Sequence, residues 1–141
     1  MVNKIKVFTP NMKKPECKID TDGTKLWFLN GRYHREDINP ETGLTMPAIE
    51  YANGNKSWYS NGKLHREDIN PETGLTMPAI ECADGDKHWC LNGKWHRKDG
   101  PAIEYADGDT EYWINGNHIP QLDNKRIYGK ERLEKLLLLL M

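Results

Sequence analysis

The chain has 141 residues, with 20 Lys+Arg against 21 Asp+Glu for a formal net charge of −1. That length suggests one domain, and the charge balance lacks the basic excess of a nucleic-acid binder. Val, Ile, Leu and Phe make up only 27 residues, about 19% of the chain, which excludes a thick aliphatic core, while 13 aromatics, five of them Trp, argue against disorder and for a thin, aromatic-stabilised architecture.

Residues 1–21 read as an N-terminal segment that carries Lys but no apolar h-region, so no signal peptide is expected. The longest apolar run, Leu136 to Met141, is too short to span a bilayer. Cys17, Cys82 and Cys90 are odd in number and lack CxxC spacing, which fits reduced thiols in a cytoplasmic protein.

Residues 22–120 are a repeat domain of about four units. His34 to Glu50 reads HREDINPETGLTMPAIE, His65 to Glu81 is the same without a change, and His96 to Glu104 is a shortened copy, HRKDGPAIE. Trp27, Trp58, Trp89 and Trp113 mark the units at spacings of 31, 31 and 24. The third copy carries the single Gly100 in place of a nine-residue insert, and one extra residue after Asp107-Gly108 accounts for the remaining difference. A segment that can be deleted is a loop, so 38–46 and 69–77 are expected as surface excursions on one edge.

Two series of turns punctuate the units. Asn30-Gly31, Asn61-Gly62, Asn92-Gly93 and Asn115-Gly116 form one; Asp22-Gly23, Asn53-Gly54, Asp84-Gly85 and Asp107-Gly108 form the other. Both dipeptides favour tight hairpins, so an antiparallel meander is expected, with no helix before residue 124. Two-residue loops place Trp27 opposite His34, Trp58 opposite His65, Trp89 opposite His96 and Trp113 opposite His118. The other series then adds Ile49 to Trp58 and Ile80 to Trp89, giving an Ile–Trp–His row on one face, with Ile103 near Trp113. The opposite face aligns Glu50, Ser57 and Arg66, then Glu81, His88 and Arg97, beside the pairs Phe28–Tyr33, Tyr59–Leu64 and Cys90–Trp95.

Asn92-Gly93-Lys94-Trp95-His96 followed by Tyr105-Ala106-Asp107-Gly108 resembles the MORN repeat, and still more the degenerate MORN-like repeats with a WYxNGKxHRxDGPA signature found in bacteria, large phages and giant viruses. The resemblance covers residues 22–118. It implies an all-β fold, a single-layer antiparallel β-meander of hairpin repeats, used as a protein-interaction scaffold. It also suggests a phage or viral accessory role, including counter-defence. Arg35, Arg66 and Arg97 replace a glycine of the standard pattern.

The four recurring histidines start too far apart to converge on one zinc ion, so stacking on Trp is expected and no metal or cofactor is implied. Asp37, Asn39 and Glu41, and again Asp68, Asn70 and Glu72, show the opening spacing of a calcium loop, but Gly43 and Gly74 fall one place late. Asp, His and Glu that recur with every unit read as structural, so catalytic residues are expected to be none. Glu50, Glu81 and Glu104 neutralise the arginine face against nucleic acid. The same face, with Arg35, Arg66, Arg97, Tyr33, Tyr59 and Trp95, suits a protein partner, because Trp, Tyr and Arg dominate interface hot spots. Leu44, Met46, Leu75 and Met77 on the inserts are the second candidate surface. A small ligand, lipid headgroup or nucleotide is the alternative.

Residues 121–141 end in KERLEKLLLLLM, with Leu133, Leu136, Leu137 and Leu140 on one helical face. A short helix capping the last repeat is expected, and self-association through it is the other use of those leucines.

Overall fold

The computed structural model describes residues 13–140; the first twelve residues of the expected N-terminal segment lie outside it. Strands β1 (Glu16–Ile19) and β2 (Lys25–Leu29) open the array, and β2 turns back into β3 (Arg32–Tyr33). The second unit holds β4 (Ile49–Glu50), β5 (Lys56–Ser57), β6 (Tyr59–Ser60) and β7 (Lys63–Leu64). The third holds β8 (Ile80–Glu81), β9 (Lys87–His88), β10 (Cys90–Leu91) and β11 (Lys94–Trp95). The last holds β12 (Ile103–Glu104), β13 (Thr110–Glu111), β14 (Trp113–Ile114) and β15 (Asn117–His118), and helix α1 (Lys130–Leu139) follows. One 3₁₀ turn at Pro120–Leu122 precedes residue 124, where no helical turn was expected.

The fold is all-β with a short C-terminal helix. One antiparallel sheet runs β1-β2-β4-β5-β8-β9-β12-β13, and β6–β7, β10–β11 and β14–β15 are separate two-stranded ribbons. The Asn-Gly turns pair as two-residue loops require: Phe28 with Tyr33, Tyr59 with Leu64, Cys90 with Trp95 and Trp113 with His118. Asn61 and Gly62 both take positive φ, 51° and 82°, the type I′ geometry that suits Asn-Gly.

The second turn series departs from the expected register by one residue. Ile49 pairs with Ser57 and Glu50 with Lys56, and the Tyr51 N–H donates to the Asn55 carbonyl, closing a three-residue loop. Only Gly54 is left-handed there, at φ 95°, so the turn ends in a glycine bulge. One residue of slip moves each side chain to the other face. The Ile–Trp–His row therefore does not form, nor does Glu50–Ser57–Arg66 or Glu81–His88–Arg97. Ile49, Ser57, Ile80, His88 and Ile103 are neighbours on one face, and Lys25, Glu50, Lys56, Glu81, Lys87 and Glu104 alternate on the other. Trp58 and Trp89 sit at the break between main sheet and ribbon, whereas Trp27 lies within the continuous strand β2. The Trp58 N–H donates to the Ala79 carbonyl, and the Trp58 carbonyl accepts from the His65 N–H.

The fourth unit also needs realignment. Asn115 follows Tyr112 by three residues, as Asn61 follows Trp58. The Ile119 N–H donates to the Tyr112 carbonyl just as His65 does to Trp58. Tyr112 therefore holds the tryptophan position and Ile119 the histidine position, and no extra residue is present. Trp113 and His118 instead match Tyr59 and Leu64, and their rings stack at 4.7 Å.

At the front, β1 pairs with β2 along its whole length, so the sheet begins at residue 16 rather than 22. All four residues of β1, Lys18 among them, are exposed. At the far end Tyr112, Leu122, Ile127 and the fully buried Leu133 form a cluster, with Leu136 and Leu137 packed on it. Asn124 closes the edge of β13, its N–H donating to the Thr110 carbonyl while its Oδ1 accepts from the Thr110 N–H. Leu138 and Leu139 face away and are exposed, while Leu140, also exposed, borders a groove with Leu137 and Ile119.

Candidate functional site

The arginines that replace glycine fold back onto their own units. Arg35, Arg66 and Arg97 lie over the rings of Trp27, Trp58 and Trp89 at 3.6, 3.8 and 3.9 Å, a cation–π stack repeated three times. Each Nε donates to the Asp two residues on, at 2.9, 2.7 and 2.8 Å. Each Nη1 donates to a proline carbonyl, of Pro47, Pro78 and Pro101, and faces Glu50, Glu81 and Glu104. With side chains only 8, 3 and 3% exposed, these guanidinium groups hold the units and form no open face. That corrects the expected Arg-bearing surface. Gly100 belongs to this packing, because a Cβ there would lie 2.7 Å from the Arg97 guanidinium carbon.

The inserts are inter-unit staples as well as excursions. Thr45 donates its N–H and hydroxyl to Asp68 of the next unit, at 3.1 and 2.5 Å. Its carbonyl accepts from Trp58 Nε1 at 2.9 Å. Thr76 repeats all three contacts with Asp99 and Trp89. Burial favours the neutral form of the Asp99 carboxyl, but the bonds from Thr76 and Arg97 outweigh it and hold the group below the usual carboxylate range. The Met46 and Met77 sulfurs point inward, 3.4 and 3.7 Å from Nη2 of Arg35 and Arg66, and Leu44 and Leu75 are half-buried. At the tips, Asn39 and Asn70 accept the N–H groups of Glu41 and Glu72, an Asx turn that engages the oxygens the calcium reading required.

The histidines staple units in the same way. His34, His65 and His96 accept through Nδ1 the N–H groups of Asn61, Asn92 and Asn115, each in the next Asn-Gly turn. An accepting Nδ1 places the proton on Nε2, which faces Glu36 in His34 and Glu67 in His65. Lys98 stands at the matching position of the third unit. Burial, assisted by Lys98, lowers the His96 pKa. Among the described residues no three His, Cys, Asp or Glu side chains are grouped to hold a metal ion. Burial pushes the Cys90 thiol up to about 11.

Of the expected binding residues, Tyr33 and Tyr59 come together, and Trp95 joins Trp113 further along. The partner positions of the Asn-Gly ribbons build an aromatic stripe across successive units. Phe28 and Tyr33 stack at 4.8 Å and Tyr33 meets Tyr59 at 5.3 Å. Beyond Leu64, Trp95 meets Trp113 at 4.7 Å, and His118 follows. Trp95 is 39% exposed. Arg35, Arg66 and Arg97, and the insert residues Leu44, Met46, Leu75 and Met77, lie outside this stripe.

A cavity of about 610 Å³ opens where a third insert would lie, between the second insert, the third unit and the start of α1. Leu75, Trp89, Leu91, Arg97, Lys98 and Lys130 are among its lining residues. No helix among the described residues is long and apolar enough to cross a membrane. Comparison with protein-family profiles, characterised proteins and solved structures yields no match. The class defined by fold and site is thus a β-repeat protein whose charged residues hold its units together and whose ribbons carry an open aromatic row.

Proposed function

We propose that this chain is a non-enzymatic, MORN-like interaction module that acts in the cytoplasm by binding a protein partner, with inhibition or regulation of that partner as the outcome. The single observation that carries this reading is the aromatic stripe. Tyr33, Tyr59, Trp95 and Trp113 present rigid rings along one line of the repeat, the residue types that anchor interfaces. A phage or viral accessory protein directed at a host enzyme or defence protein is the setting that the repeat resemblance favours.

A small-ligand reading has one specific support, the cavity bordered by Lys98, Lys130 and Trp89. The deciding experiment is affinity capture from host lysate with the full chain and with a Tyr33→Ser/Tyr59→Ser/Trp95→Ser variant of matched folding. Proteins retained by the parent chain and lost by the variant are expected. Capture that is indifferent to all three substitutions overturns the stripe as the binding surface.

A further inference from the structure

The geometry points to an open peptide seat on the first unit, built from Trp27, Arg35 and Asp37, whose ligand is an extended segment carrying a threonine. Units two and three show the same seat filled. There the occupant is Leu-Thr-Met of the preceding insert, with the Thr N–H and hydroxyl on the Asp carboxylate and the Thr carbonyl on the Trp Nε1–H. Among the described residues, none before the first unit carries an insert of that sequence.

The seat itself is assembled in unit one. Arg35 lies 3.6 Å over the Trp27 ring and its Nε donates to Asp37 at 2.9 Å, as in the filled copies. What differs is cover. The Asp37 side chain is 50% exposed, against 12% for Asp68 and 10% for Asp99. Trp27 is half-buried where Trp58 and Trp89 are buried. Among the described residues, Trp27 Nε1 has no hydrogen-bond partner and Asp37 has Arg35 as its one side-chain partner. One donor and one acceptor are thus left at the spacing that, two units running, reads a threonine and its backbone.

The recognition chemistry follows from the filled copies. The occupant is a hairpin leg or extended strand of a protein partner, with Thr, or Ser in its place, at the central position and an apolar residue before it. The hydroxyl is the specific element, because the carboxylate accepts it at 2.5 and 2.7 Å in the two filled seats. A valine would leave that acceptor without its hydroxyl donor. The inserts of other copies do not supply the ligand, since Thr45 and Thr76 are already docked. The seat rests on the reading of the chain as an interaction module, and gives it a second contact distinct from the stripe.

The probe is a head-to-tail cyclised peptide of the Asp37–Met46 sequence. In the chain this stretch closes on itself through Met46 N–H to Asp37 O and Asn39 N–H to Leu44 O, so cyclisation preorganises it. Titration into the full-length ¹⁵N-labelled chain is followed at the five Trp indole N–H signals, with Trp27 assigned by Trp27→Phe. A saturable shift of the Trp27 signal alone is expected. Replacing the peptide threonine by valine, or Asp37→Asn in the chain, is expected to weaken binding at least tenfold with the fold retained. An unmoved Trp27 signal at millimolar peptide, equal binding of the valine peptide, or shifts confined to Trp58 and Trp89 would each overturn the seat. Lysate capture separates the two proposals: stripe-dependent partners that survive Asp37→Asn, together with a silent titration, refute the seat and leave the interaction reading standing.

Discussion

Trp58 illustrates how one side chain serves three neighbours. Its indole packs with Ala79 and Cys90, carries the Arg66 guanidinium on one face and donates from Nε1 to the Thr45 carbonyl. His34, His65 and His96 work by hydrogen bonding rather than by stacking on these rings, and of the four recurring histidines only His118 stacks, on Trp113. A histidine that must accept at Nδ1 from a backbone N–H is incompatible with protonation there. Burial lowers the pKa of both His96 and His88. With folded values below the unfolded one, the unfolded chain takes up protons first, so stability is complete above about pH 6.5 and falls as the pH drops toward the folded values. The lowered Asp99 carboxyl adds a second loss, at pH values below about 4. Urea titrations at pH 7.5 and 5.5 should show lower stability at 5.5, and His96→Asn, whose amide oxygen can accept the same N–H, should flatten that difference. An unchanged slope in the variant would remove His96 from the account.

At the scale of the element, the inserts exist where their docking partners exist. Insert 38–46 meets Asp68 and Trp58, and insert 69–77 meets Asp99 and Trp89. A third insert would face the fourth unit, where Leu122 stands at the aspartate position and Tyr112, with no indole N–H, at the tryptophan position. The third unit has Gly100 instead. Replacing 69–77 by one glycine leaves the buried Asp99 carboxylate with Arg97 alone and the Trp89 N–H without its acceptor. Two hydrogen bonds to a carboxylate and one neutral bond are lost, so we expect a loss of at least about 2–4 kcal/mol. Unchanged denaturation would return the loop to the status of a free excursion. The regularity of His34–Glu50 and His65–Glu81 made the loops visible in the sequence. Their docking was not, because Thr45 and Asp68 are 23 residues apart and nothing local marks the pair.

For the molecule as a whole, stability is a chain of neighbour contacts with two ends. Among the described residues the front edge is the strand β1, with Lys18 and other exposed side chains, and the far edge is closed by Asn124 and by Leu133 on Tyr112. Leu133→Ala is expected to cost about 2–5 kcal/mol, as for other buried leucines. Urea denaturation should show that loss with the secondary structure retained in native buffer. A cost below 1 kcal/mol would show that the helix is not needed to close the array.

The order of strands, the two turn series and the terminal helix were legible in the chain itself, because Asn-Gly geometry, 31-residue identity and leucine periodicity are local signals. So was the aromatic row, since Tyr33, Tyr59 and Trp95 all follow from the Asn-Gly register. What tertiary structure alone decided is the partner of each polar side chain. A glycine bulge in each turn of the second series shifts that register and with it the predicted Ile–Trp–His and Glu–Arg rows. Arg35, Arg66 and Arg97, long enough to reach past the backbone, turned from the expected surface onto their own Trp rings. There a desolvated stack with Asp and a proline carbonyl satisfies more of their donors than a solvated sheet face would.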